Sequence, residues 1–206
     1  MTDRPDWMAP KGRPWASRSC EVAFDNPWLA LTLHDATAPT GAPARYAAVR
    51  YKNLAIGILP LFEDGSLVLV GQHRFPLMDY SWELPEGGAP LDEDPLDGAR
   101  RELREEAGLE AADWREILAF QLSNSVTDER GHVYLATGLT AADCEPDPTE
   151  DLQLARVPFR EALDLALRGE IKDMITLAAL LRAYHMAREG ELDPALARAM
   201  LGGSTQ

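Results

Sequence analysis

The sequence predicts an α/β protein in which strands and helices alternate along one main domain. Three observations carry that expectation. Short apolar runs bounded by Gly, Pro, Asn or Asp recur between residues 22 and 157. Residues 94–108 interrupt them with apolar positions at helical spacing, and residues 160–201 add further helical segments. Strands interleaved with helices imply a layered α/β architecture.

Residues 1–18 are Pro-rich and polar, which predicts an arm with little structure of its own. Residues 19–50 predict a β-region, with apolar runs Trp28–Leu33 and Tyr46–Val49 flanking a turn-rich stretch at 37–43. Residues 51–201 form the main domain. Its first strands, Leu54–Phe62 and Leu67–Val70, surround a turn at Glu63, Asp64 and Gly65. Strands Trp114–Leu122 and His132–Thr137 follow, separated by the loop at 123–131. Residues 143–151 read as an acidic, Pro-containing loop, and a strand is expected near Leu152–Val157. Helices are predicted near Arg160–Arg168, Asp173–Glu189 and Asp193–Leu201, ahead of a loose tail at 202–206.

The length of 206 residues suits one core, and 46% hydrophobic with 26% charged residues is ordinary for a soluble globular protein. A net charge of −14 argues against a nucleic-acid partner, whose backbone needs clustered Lys and Arg, and against an anionic membrane. The N-terminus has no apolar stretch that reads as a signal peptide, and no run approaches membrane-spanning length. A cytoplasmic protein is expected. Cys20 and Cys144 match no zinc or redox spacing and are predicted to be buried or inert. His34, His73, His132 and His185 show no ligand spacing either. A serine-hydrolase elbow, a dinucleotide-binding glycine motif and a phosphate loop of the Walker type are all missing, and 143–151 lacks the spacing of a calcium loop.

The chemistry concentrates in residues 87–109, which read GGAPLDEDPLDGARRELREEAGL. Asp94 can cap a helix that begins at Pro95, where a missing N–H costs nothing. Leu96, Leu103 and Ala107 give that helix a buried stripe, and Gly108 can end it in a left-handed conformation. Glu102, Glu105 and Glu106 then share one face at i, i+3 and i+4. Like charges so placed oppose the helix, and a bound divalent cation reverses that sign. All-oxygen ligands select Mg²⁺, Mn²⁺ or Ca²⁺.

Gly87, Glu93, Arg101, Glu102, Glu105, Glu106 and Gly108 fill every fixed charged or glycine position of the Nudix signature. At roughly one chance in fifteen per position, the joint probability is about 10⁻⁸ per window, so coincidence is a poor explanation. The chain therefore resembles the Nudix hydrolase family, in its branch of ADP-ribose and nucleoside diphosphate sugar pyrophosphatases. The resemblance implies a mixed sheet sandwiched between helices across about residues 45–190, with an N-terminal β-region that often helps relatives dimerise. It also implies Mg²⁺, with Mn²⁺ as an alternative, held by Glu102, Glu105, Glu106 and the backbone carbonyl of Glu86. Gly87, Glu93 and Arg101 are structural parts of the motif, the last two as an ion pair locking loop to helix.

Other positions follow from the same resemblance. Arg74, in the stretch Gln72–Pro76, matches an arginine that contacts the diphosphate in relatives, a task its forked guanidinium suits. Phe75 and Trp82 are expected in the core. Trp28 stands where relatives stack a base across the dimer interface, with a buried strand Trp as the alternative. Arg50 and Lys52 are candidate phosphate contacts, with solvated surface positions as the plainer reading. In the loop 123–129, Glu129 matches a glutamate that is a candidate base for the attacking water, with Asp128 and Glu105 as alternatives. Asn124 falls where the ADP-ribose subgroup shows proline, which turns the expectation towards nucleotide sugars. The predicted reaction is hydrolysis of a nucleoside diphosphate sugar to a nucleoside monophosphate and a sugar phosphate, by a homodimer. Its rivals are ADP-ribose, dinucleotide polyphosphates or nucleoside triphosphates as substrate, and a non-catalytic nucleotide sensor.

Overall fold

The computed structural model describes residues 4–144 and 151–202. The chain divides into two compact units, residues 1–52 with 122–129, and residues 53–121 with 130–206.

The first unit is an antiparallel meander of β1 (Ala16–Asp25), β2 (Leu29–Thr37) and β3 (Pro43–Tyr51). Its β2–β3 hairpin turns through residues 38–42, where Ala38 and Gly41 close the turn by backbone bonds of 2.9 and 2.8 Å. The strand β1 corrects the expectation of an unstructured arm through residue 18. Its ten residues are all exposed, so it carries no alternating burial pattern for a sequence reading to detect. Residues 122–129 join this unit through Val49, whose N–H donates to the Val126 carbonyl and whose carbonyl accepts from Asp128.

The second unit starts with β4 (Asn53–Pro60) and β5 (Ser66–Arg74), followed by β6 (Asp79–Glu83) and β7 (Glu86–Pro90). Helix α1 (Pro95–Ala107), β8 (Leu109–Gln121), β9 (Arg130–Ala141) and β10 (Gln153–Pro158) come next. Three helices close it: α2 (Phe159–Leu167), α3 (Met174–Arg188) and α4 (Pro194–Leu201). A mixed sheet runs β7-β4-β9-β8, with β4 and β9 parallel, and an antiparallel sheet runs β10-β5-β6. The turn at Glu63–Gly65 forms, yet β4 and β5 pair only at the Leu61–Leu67 bridge. Both edges of β4 are already taken by β7 and β9, so β5 has to leave for a second sheet.

Central β4 is buried on both faces, which explains its nearly unbroken apolar run. Leu54, Ile56 and Ile58 pack with Ala99, Leu103 and Ala107 of α1. Gly57 points the other way, against Ile175 of α3. The sheet is thereby sandwiched between helices. Truncating fully buried Leu103 to Ala would cost about 2–5 kcal/mol. At the far end Glu191, just beyond α3, bonds Arg182 of α3 at 2.8 and 3.0 Å and Arg115 of β8 at 3.1 Å. Among the described residues no helix is long and apolar enough to cross a membrane. Residues 145–150 of the acidic loop and 203–206 of the tail lie outside the described residues.

Candidate active site

Helix α1 positions the site, and its ends follow the local chemistry of its sequence. The Asp94 carboxylate accepts the Leu96 N–H at 2.9 Å, Pro95 opens the helix, and Gly108 closes it at φ 60°. That left-handed residue returns its N–H to the Arg104 carbonyl. Glu102 and Glu106 are buried and Glu105 is half-buried, all on one face.

Arg101 knits this face together. Its guanidinium meets Glu102 at 2.7 Å, Glu105 at 3.1 Å, the Gly88 carbonyl at 2.9 Å and Glu93 at 3.5 Å. Burial works against the arginine's charge, but Glu102 and Glu105 outweigh it and hold its pKa above the usual value. Glu106 accepts the backbone N–H of Glu86 at 2.8 Å, which docks the start of β7 on the helix. Gly87 is required by close approach, because a Cβ there would sit 2.3 Å from the Glu102 carboxyl. One guanidinium on a helix face with three carboxylates leaves an excess of negative charge and an all-oxygen donor set. Both properties fit a hard divalent cation of the Mg²⁺ or Mn²⁺ class.

Arg74, at the end of β5, joins the same unit. It pairs with Glu83 at 2.5 Å and Glu86 at 3.0 Å, and Glu83 also accepts from Gln72 and Ser81. Burial pushes the Glu83 carboxyl up despite Arg74, and it pushes Glu86 well up, reinforced by Asp173 and Glu83. Glu83 and Asp173 escaped the sequence reading as site residues. Ninety positions separate them, and no local spacing links residues that far apart. Phe75 is 85% exposed and Trp82 only half-buried, which corrects the expectation that both fill the core. They lie on or beside a short edge hairpin, β5–β6, where one face stays open. Cys20 and Cys144 are exposed, so of the two expected states, buried or inert, burial is ruled out.

Trp28, Arg50, Asn124 and Glu129 belong to the first unit. Trp28 is 65% exposed on a turn held by Asn26, whose side chain accepts the N–H groups of Trp28 and Leu29. It is therefore not a buried strand tryptophan. Arg50 pairs with Asp128 at 3.3 Å, and Asp128 also accepts the Tyr51 N–H at 2.8 Å. Lys52 bonds Asp25 and the Asn26 carbonyl. Asn124 and Arg50 line one cavity of about 370 Å³ with Trp15, His34 and Tyr46, and Trp28 is not part of it. Asp128 is thus committed to holding β3, while burial alone raises the Glu129 carboxyl above its ordinary range.

Comparison with known proteins agrees with this geometry. The NUDIX domain model matches residues 51–178, which contain α1 and both sheets of the second unit. An ADP-ribose pyrophosphatase of Mycobacterium tuberculosis is 35% identical over 143 residues, covering 68% of this chain and 69% of the relative. A CMP-5'-(N-acetyl-N-hydroxy-3-aminopropyl)phosphonate hydrolase of Streptomyces rubellomurinus is 30% identical over 167 residues, 81% of each chain. The crystal structure of an ADP compounds hydrolase superposes with a TM-score of 0.79 at 19% identity, over 89% of this chain and 100% of that one, so the fold is shared. With the signature complete, its glutamates gathered on one helix face and the family model matched over most of the chain, this protein belongs to the Nudix family of hydrolases.

Proposed function

We propose that the protein is a Mg²⁺-dependent pyrophosphohydrolase that splits a nucleoside diphosphate sugar into a nucleoside monophosphate and a sugar phosphate. The observation that carries this reading is the Arg101-braced face of Glu102, Glu105 and Glu106, docked through Glu106 on the backbone of Glu86. Those three carboxylates and the Glu86 carbonyl would hold the cation, with Mn²⁺ as an alternative. When bound, it supplies positive charge for the phosphate oxygens and acidifies a water.

The chain's own residues do the rest. Arg101 bonds Glu102 and Glu105 through the same Nη1, which holds both carboxylates on one side of α1. Glu129 is the candidate base, favoured over Asp128 because Asp128 is occupied by Arg50 and Tyr51, with Glu105 as the remaining alternative. Arg74 is the candidate diphosphate contact, and Trp28 offers an exposed indole face for a base. Arg50 and Asn124 are candidate contacts for the remainder of the substrate. Asn124 keeps nucleotide sugars ahead, since it restores the N–H that proline lacks and adds an amide.

A second reading, ADP-ribose as the preferred substrate, is favoured by the activity named for the Mycobacterium tuberculosis relative. The deciding experiment is kcat/KM for ADP-ribose beside GDP-mannose, ADP-glucose and UDP-glucose at one Mg²⁺ concentration. A preference for ADP-ribose of about a hundredfold, near 2.7 kcal/mol in the transition state, selects the second reading. No release of phosphomonoester from any of them overturns both.

A cytoplasmic homodimer built through the N-terminal β-region completes the proposal, with no nucleic-acid or membrane partner. Val22 and Phe24 of β1 are more than half exposed, an unusual cluster of apolar surface on one strand. Phe24→Asp is expected to shift a dimer to monomer in sedimentation at micromolar concentration. A wild-type monomer with full activity removes the dimer from the proposal.

A further inference from the structure

A second acidic group lies beside the α1 carboxylates, and its side chains have no part in the proposed reaction, which Glu86 enters only through its backbone carbonyl. Glu83, Glu86 and Asp173 each bring a carboxylate oxygen within 4.8 Å of the others. They come from the end of β6, the first residue of β7 and the residue that caps α3. All three line a cavity of about 330 Å³ together with Tyr80, Trp82 and Lys172.

The oxygens can be accounted for one by one. Glu83 is satisfied by Arg74, Gln72 and Ser81. Asp173 spends one oxygen on the Thr176 N–H at 2.7 Å. Glu86 gives Oε1 to Arg74, while its Oε2 is buried and has no hydrogen-bond partner among the described residues. A buried anionic oxygen without a partner is a strong anomaly, since such atoms almost always find one. Charge points the same way. Three carboxylates against Arg74 alone leave two negative charges, and at the exposed rim Lys172 and Glu170 offset each other.

We propose that Glu83, Glu86 and Asp173 form a second divalent-cation site of the Mg²⁺ or Mn²⁺ class, distinct from the one at Glu102, Glu105 and Glu106. A doubly charged cation brings this group to neutrality with Arg74 and gives Glu86 Oε2 its missing partner. The cavity leaves room for the waters that such ions retain. Because the Glu86 N–H is held by Glu106, an ion on the Glu86 side chain also steadies the backbone that borders the catalytic face. The competing account is a proton trapped on Glu86 and shared with Asp173, which burial and the neighbouring carboxylates favour. It calls for no metal.

Mn²⁺ titration of the whole protein, followed by electron paramagnetic resonance, separates the two. Asp173→Asn keeps a side-chain acceptor for the α3 cap and is expected to bind one Mn²⁺ per chain fewer than wild type. A Glu102→Gln, Glu105→Gln, Glu106→Gln triple variant should lose turnover yet retain one Mn²⁺. Adding Glu86→Gln should then weaken that remaining ion at least tenfold. Unchanged Mn²⁺ stoichiometry in Asp173→Asn, or a triple variant that binds no Mn²⁺, overturns the proposal in favour of the shared proton. Neither result touches the catalytic reading, which stands or falls on turnover in the α1 variants.

Discussion

Two clusters of charge in the second unit are near mirror images. On α1 one arginine, Arg101, sits among Glu93, Glu102 and Glu105. Between β8 and α3 one carboxylate, Glu191, sits between Arg115 and Arg182. The first buries Glu102 among half-buried partners and keeps more negative charge than it neutralises. The second is solvated, and each carboxylate oxygen finds a guanidinium N–H. A solvated cluster tolerates the one positive charge that two arginines leave over a single carboxylate, and gains modestly from its pairs. One that leaves buried charge unbalanced works against its own helix, and that imbalance is what a metal requires.

The largest expected effect tests the α1 cluster. Glu106→Gln keeps the shape and the acceptor that receives the Glu86 N–H but removes an anionic ligand. Turnover at saturating Mg²⁺ should fall by at least about a hundredfold. The metal-free fold should be retained and slightly more stable, because one like charge is gone. Rates near wild type would mean that the α1 face does not hold the metal.

Next in size is Glu129→Gln. A base acting in the transition state predicts a kcat loss of about 10²-fold or more with little change in KM. Burial raises the Glu129 carboxyl, and a base must be deprotonated to act. The rate should therefore fall as pH drops through a value above the ordinary carboxylate range, and this acid limb should disappear in the variant. A rise in KM with kcat unchanged would recast Glu129 as a binding residue and promote Glu105.

The two clusters also differ in how far the sequence foretold them. Helix α1 was legible to its caps, because Asp94, Pro95 and Gly108 act through local backbone chemistry and the glutamates repeat at helical spacing. The Glu191 cluster was not, since Arg115 lies 76 positions away on β8. The same limit hid the meeting of Glu83 with Asp173. It also hid the parting of β4 from β5, which depends on which distant strands claim the edges of β4. The start of β1 at Ala16, inside the expected arm, was missed for a different reason. With all ten residues exposed, its sequence is under no periodic demand from a core.

The smallest effect concerns the Glu191 cluster and its response to pH. Arg182 hydrogen-bonds Glu191 and, with help from Arg115 and His185, lowers its pKa below the ordinary glutamate value. A group whose folded pKa is depressed adds stability above its unfolded pKa and loses it as pH falls through the folded one. Glu191→Gln should therefore lower Tm slightly near neutral pH, and the difference from wild type should vanish once both forms are uncharged in acid. Because the group is solvated, added salt should shrink the difference as well. The Arg115 bond to the Glu191 backbone carbonyl, at 2.9 Å, survives the substitution and keeps the α3–α4 turn in place. A Tm difference that persists unchanged into acid would show that side-chain packing, and not ion pairing, makes this cluster stabilising, and the contrast with α1 would then rest on burial alone.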